Sequence, residues 1–201
     1  RYRSVGRALA AAAAAAEANP FARGGYVVTG GLGALGRAVV AQLLEAHDQS
    51  RVLIVGRRTA AAVAPERAEL GWAEGSRVAY ASVDLGRDSA ALAAALTAFL
   101  RGADLPLVRV FHLAGCYARR PLAECSAEAL EEATRAKALG AVHLHEAALA
   151  AGARPAFVHF GSTATVYAGG GLGAYAGANA FLVWFAAWQR EHARLDARTL
   201  Q

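Results

Sequence analysis

Ser162, Tyr175, Asn179 and Lys137 are the residues whose types and spacing suggest acid–base chemistry. Phe157 to Phe160 is a short β-prone run that can end a buried strand, and Gly161-Ser162 then sets a small hydroxyl at the strand's carboxyl end. Ligands in open α/β sheets bind there. Tyr175 and Asn179 stand one helical turn apart and so share a helix face. The chain has 21 basic residues, and all but Lys137 are arginine. Lysine is a compact charge that donates in several directions, which suits a site touching both a phenol and ribose hydroxyls. A free tyrosine titrates near 10, so easing its proton transfer near neutrality takes about 4 kcal/mol. An ammonium at roughly 4 Å supplies about that much at an effective dielectric near 20. Tyr175 as proton donor, Lys137 as its electrostatic partner and Ser162 as hydrogen-bond donor to a carbonyl oxygen would complete a hydride transfer. Asn179 is placed to hold a water or to orient Lys137. The competing readings are a buried aromatic at a helix start for Tyr175 and a surface cation for Lys137.

A nucleotide site lies upstream. Tyr26-Val27-Val28-Thr29 reads as a buried strand, and Gly30-Gly31-Leu32-Gly33-Ala34-Leu35-Gly36 then opens a helix carrying Val39, Val40, Leu43 and Leu44. A glycine fingerprint alone is weak, but strand, glycine loop and helix together are the context that supports it. The glycines let the backbone approach a pyrophosphate, whose charge the helix N-terminus favours. The second strand, Arg51 to Val55, is followed by Gly56-Arg57-Arg58, where a protein specific for NAD places an acid against the ribose 2′-hydroxyl. Two guanidiniums match a 2′-phosphate, so the expected cofactor is NADPH/NADP. Asp84 and Leu85, after the third strand, are placed to meet the adenine ring.

The alternation continues. A short helix is expected at Pro65 to Trp72, a strand at Arg77 to Ala81 and a helix at Ser89 to Leu100. Further on, the pattern predicts a strand at Leu107 to Leu113, one long helix from about Ser126 to Ala151, a strand at Pro155 to Phe160 and a helix from near Tyr175. The expected fold class is α/β: a Rossmann-like, doubly wound parallel sheet with helices on both faces. Residues 1–23 read as a linker and alanine-rich helix from a preceding region, and 24–201 as one NADP-binding catalytic domain. The chain opens without methionine and closes on Arg198 to Gln201, which looks like the opening of another strand. It is therefore expected to be an excised piece of a longer protein.

Composition narrows the function classes. With 56% hydrophobic and 18% charged residues over 201 positions the chain is globular rather than disordered. A net charge of +5 would suit nucleic acid, but the arginines are scattered and no aromatics interleave with a basic run, so no nucleic-acid partner is expected. No apolar stretch is long enough for a bilayer, so no membrane is expected. Arg1, Arg3 and Arg7 ahead of Ala8 to Ala16 mimic a secretory signal, but alanine is only weakly apolar and a linker helix is the better reading. Cys116 and Cys125 have neither metal nor disulfide-framework spacing, which fits packing residues in a reducing cytoplasm.

Taken together, the motifs resemble those of a ketoreductase domain of a modular polyketide synthase, within the short-chain dehydrogenase/reductase superfamily. They are Thr29 to Gly36, Val110-Phe111-His112-Leu113-Ala114-Gly115, Lys137 to Glu146 and Tyr175 to Leu182, within about residues 24–201. In other superfamily members a lysine follows the tyrosine by one turn. In synthase ketoreductases, as here, that position is asparagine and the lysine lies on the preceding helix. The resemblance implies catalytic positions for Lys137, Ser162, Tyr175 and Asn179, and a cofactor site including Thr29, Leu35, His112, Ala114 and Gly115. His143 and His145 fall on different helix faces and read as structural, and no metal is expected.

By the same resemblance Tyr117, Tyr167 and Leu172 lie near the substrate. One ketoreductase type carries Leu-Asp-Asp where this chain has Tyr117-Ala118-Arg119, and the other carries tryptophan where it has Tyr167. Glutamine or histidine is common in place of Leu172. The missing Leu-Asp-Asp leans towards an L-configured alcohol. The chain is expected to stop before the family's C-terminal strand and lid. The implied reaction is NADPH-dependent reduction of a β-ketoacyl thioester. Its partners would be an acyl carrier protein, bearing substrate on phosphopantetheine, and neighbouring domains of one multienzyme. Arg119 and Arg120 are candidates for the carrier contact. The alternatives are an α-ketoacyl reductase of a nonribosomal peptide synthetase and a redox-silent structural domain.

Overall fold

The computed structural model describes residues 22–117, 119–167 and 169–201. The expected helix at Ala8 to Ala16 lies outside them. Six strands, β1 (Gly25–Thr29), β2 (Arg51–Gly56), β3 (Val78–Ser82), β4 (Leu107–His112), β5 (Ala156–Phe160) and β6 (Ala197–Leu200), form one sheet in the order β3-β2-β1-β4-β5-β6. Every pairing is parallel. Six α-helices connect them: α1 (Ala34–Ala46), α2 (Ala60–Glu69), α3 (Ser89–Ala103), α4 (Ala127–Arg135), α5 (Ala138–Ala150) and α6 (Gly173–Glu191).

The strands are apolar without a break because both faces are covered. Val27, Leu53, Val55, Val110 and Phe157 pack with Leu92, Leu96 and Leu144 on one face. Their strand neighbours Tyr26, Val28, Val52, Ile54, Phe111 and Val158 pack with Val40 and Leu43 on the other. The period-2 alternation of side chains thus feeds two cores from one set of strands. Strand order reverses between β1 and β4, and that crevice at the carboxyl ends is where an open α/β sheet binds ligand.

Two expectations needed correction. The short helix starts at Ala60, not Pro65, because the Thr59 hydroxyl accepts from the Ala62 N–H and caps an alanine run; Pro65 falls inside the helix and costs it one backbone donor. The long helix is two, α4 and α5, broken at Ala136-Lys137. No glycine or proline marks that break; a hydrogen bond from the buried His112 to the Lys137 carbonyl accompanies it.

Candidate active site

The glycine loop joins β1 to α1. Gly30 adopts φ +68°, a left-handed conformation that glycine alone takes without strain. A side chain at Gly36 would place its first carbon 2.6 Å from Gly31 Cα and closer still to the Gly30 carbonyl oxygen, so only glycine lets α1 start this close to the turn. Gly33 caps α1 without a side-chain acceptor and no acid occupies its first turn. Its leading N–H groups are therefore turned to the crevice for an anion. This is a cradle that fits a pyrophosphate.

Beside it lies a second cleft, lined by Gly33 to Gly36, Gly115, Tyr117, Lys137, Phe160, Gly161 and Tyr175. Lys137, only 4% exposed, donates from Nζ to the Phe160 carbonyl at 2.7 Å. Its ammonium stands 6.0 Å from the centre of the Tyr175 ring. Its stem lies over Gly115, where a side-chain carbon would come within 2.7 Å of Cε. Burial lowers the Lys137 pKa to about 8. Tyr175, in the first turn of α6, also meets the Tyr117 ring edge-on at 5.2 Å.

Ser162 is half-buried one residue beyond Gly161. Its Oγ accepts from the Ala164 N–H at 3.1 Å, which leaves the hydroxyl hydrogen for an outside acceptor. Asn179 is fully buried; its Nδ2 donates to the Tyr175 carbonyl at 2.7 Å while Oδ1 has no protein partner. The Lys137 ammonium thus bonds the Phe160 carbonyl rather than Asn179, whose Oδ1 presents an acceptor that a water can satisfy.

The other side of the crevice, about 310 Å³, is walled by Gly56, Arg57, Val83, Asp84, Leu85, Ala114, Gly115 and, from α4, Glu132 and Arg135. Arg57 faces Glu132 at 3.6 Å, an open and exposed contact. Arg58 is held more firmly, donating to Glu66 at 2.6 Å while Glu66 also pairs with Arg37. Those guanidiniums, Arg58 first, hold the Glu66 carboxyl below its ordinary range. Both arginines line the groove behind Gly30 and Gly31, so the expected 2′-phosphate pair stands at the cleft. Asp84 spends one oxygen on the Gly86 N–H at 3.1 Å.

The sequence model described as KR domain matches residues 24–201. The chain belongs to the KR domain family. Erythronolide synthase EryA2 of Saccharopolyspora erythraea is 37% identical over 169 residues, which cover 83% of this chain and 4% of that protein. The KR domain thus spans a small fraction of the synthase component it matches. Among solved structures, A-type ketoreductases from a modular polyketide synthase are 36% identical with a TM-score of 0.73, over 90% of this chain and 38% of theirs. The ketoreductase-containing structure of a keto acid-selecting nonribosomal peptide synthetase module is 30% identical with a TM-score of 0.77, over 89% of this chain and 15% of that one.

Within this KR domain the expected residues do not all reach the crevice. His112 is fully buried, and Thr29 spends its hydroxyl inside the protein, so neither side chain lines the cleft. Tyr117 lines the cleft, whereas Tyr167 is 82% exposed and Leu172 serves as N-cap of α6. His143 bonds the Leu85 carbonyl while His145 packs against Phe157, Phe185 and Trp188, on different sides of α5 as their spacing required. Arg119 donates to the Gly170 carbonyl at 3.1 Å and the Arg120 N–H to Gly171 at 2.8 Å, tying the loop after β4 to the one before α6. Sequence reading missed the Phe160 carbonyl and Glu132. The first is a backbone atom and carries no signature; the second is one of several acids on a polar helix, and its reach to Arg57 depends on where α4 docks.

Proposed function

We propose that this domain reduces a β-ketoacyl thioester, carried on the phosphopantetheine of an acyl carrier protein, to the β-hydroxyacyl thioester with NADPH. The observation that carries the reading is the buried Lys137 ammonium beside Tyr175 in a cleft continuous with the glycine cradle. The Gly30 to Gly36 turn and the uncapped start of α1 would hold the pyrophosphate, and Arg57 with Arg58 the 2′-phosphate. The bound cofactor supplies a hydride to the carbonyl carbon.

The protein's own part is oxyanion and proton management. The Ser162 hydroxyl and the Tyr175 phenol both donate to the substrate carbonyl oxygen, and Tyr175 gives up its proton as that oxygen becomes an alcohol. The Lys137 ammonium stabilises the charge developing on the phenol. Asn179 Oδ1 holds a water at the foot of Tyr175, through which the phenol is reprotonated.

A second reading, reduction of an α-ketoacyl group, draws support from the likeness to the keto acid-selecting module. NADPH consumption with paired β-ketoacyl and α-ketoacyl thioesters on carrier protein, followed by chiral separation of the alcohols, decides between them. Turnover of the β-keto substrate that vanishes in Tyr175→Phe supports the first reading, and turnover of the α-keto substrate alone supports the second. Cofactor binding with turnover of neither would make the domain a structural spacer.

A further inference from the structure

His112 ends β4 behind the catalytic cleft, fully buried and with both ring nitrogens engaged. Nε2 lies 3.0 Å from the Lys137 carbonyl oxygen, which can only accept, so Nε2 carries the hydrogen. Nδ1 is then an acceptor, and the Thr29 hydroxyl donates to it at 2.8 Å. Thr29 Oγ1 in turn accepts from the N–H groups of Leu113 at 3.1 Å and Ala114 at 3.0 Å. One hydroxyl donor and two acceptor positions are all in use, so nothing in the cluster can take up a second ring proton or a flipped tautomer. Burial agrees with this, lowering the His112 pKa to about 3.

The Lys137 carbonyl sits where the expected long helix breaks into α4 and α5, and it also accepts the Ala141 N–H at 3.2 Å. Gly140 packs close by: a side-chain carbon there would meet Leu85 Cβ at 3.2 Å and His112 Cε1 at 3.4 Å. The lysine is thus held at its carbonyl by His112, along its stem by Gly115 and at its ammonium by the Phe160 carbonyl. We propose that His112 is a positioning residue: locked as the Nε2–H tautomer by Thr29, it holds the Lys137 backbone and so sets where the ammonium meets Tyr175. The consequence for catalysis rests on the reductase reading; the effect on Lys137 does not.

Two substitutions separate the contacts. His112→Gln keeps a donor near the Nε2 position, and His112→Asn keeps a polar atom near Nδ1 but withdraws from the Lys137 carbonyl. Because Lys137 is the only lysine, protein labelled with ε-13C lysine gives one side-chain signal, whose titration needs neither cofactor nor substrate. The expected result is a wild-type Lys137 signal and midpoint in the Gln variant. The Asn variant should show a displaced signal with a midpoint moved by at least half a pH unit. In turnover the Asn variant should lose about tenfold in kcat, with the KM and Kd for NADPH within twofold and the pH profile moved in step with the lysine. The Gln variant should stay within threefold of wild type.

Should the Asn variant fail to fold by thermal unfolding, Thr29→Val, which removes the hydroxyl that fixes the tautomer, should displace the same signal. Wild-type titration in Asn, or in Thr29→Val where that stands in, overturns the proposal. Equal loss in Gln and Asn together with lost NADPH binding also overturns it, by making His112 a structural residue of the cofactor site. If the wild type reduces no ketoacyl substrate, the reductase reading fails while the titration still decides the role of His112.

Discussion

Replacing Lys137 by methionine keeps the aliphatic stem over Gly115 and removes the charge. With the ammonium 6.0 Å from the Tyr175 ring centre, an effective dielectric near 20 gives an attraction for developing phenolate charge of about 3 kcal/mol. That is a loss of roughly 100-fold in kcat. The same charge disappears in the wild type when the lysine titrates, and its pKa of about 8 puts that loss within reach of assay. The ammonium is present below this value, so reduction should be level to about pH 7.5 and then fall roughly tenfold per unit towards the rate of Lys137→Met, whose own profile should be flat. Initial rates of NADPH consumption from pH 6.5 to 9.5, under saturating carrier-bound substrate, test both statements. A buried ammonium is costly to hold, so the methionine variant should melt no lower than wild type, which separates loss of charge from loss of fold. Turnover by Lys137→Met within threefold of wild type at pH 7 would refute the electrostatic role.

Gly36→Ala should abolish NADPH binding by fluorescence titration, because the added carbon collides with backbone at Gly30 and Gly31 that has no room to yield. Arg57→Ala and Arg58→Ala should each weaken NADPH about tenfold or more while leaving NADH nearly unchanged, as expected for loss of a charge-assisted phosphate contact. Equal effects on the two cofactors would remove the arginines from the 2′-phosphate site. Acid should destabilise the fold from about pH 6.5 downward. His112 and His159 have pKa values lowered to about 3 and about 4, so between pH 6.5 and those values the unfolded chain binds protons that the native state refuses. Stability then falls as pH drops. At pH 5 each histidine accounts for about 2 kcal/mol. Urea unfolding at pH 7 and pH 5 should show a combined loss near 4 kcal/mol, about halved in His159→Gln, and an unchanged midpoint would contradict the buried neutral histidines.

The glycine turn and the strands around it were legible in the chain because their physics is local. Unbroken apolar runs announce strands buried on both faces, and Gly30, Gly33 and Gly36 announce a turn that backbone alone can line. Lys137 stood out by composition, and its helix break did not, because no residue within the helix marks 136–137; what meets the chain there, His112 from β4 backed by Thr29 from β1, lies far away in sequence. For the same reason His112 read as part of the cofactor motif when its side chain faces the interior. Tyr117 and Tyr167 were equal candidates by the resemblance; the packing of Tyr117 on Tyr175 is what separates them.

The position of β4 beside β1 has a consequence for how the domain comes into being. β1, β2 and β3 are joined by short crossovers and can pair as soon as they exist, but Thr29 must wait for His112, 83 residues further along the chain. That delay raises contact order and slows folding. Until β4 arrives, the inner edge of β1, Gly-Tyr-Val-Val-Thr, is an unpaired row of backbone donors and acceptors flanked by apolar side chains. During synthesis from the N-terminus such an edge is open to the wrong strand. The strand that completes the crevice is also the one that closes this exposed edge.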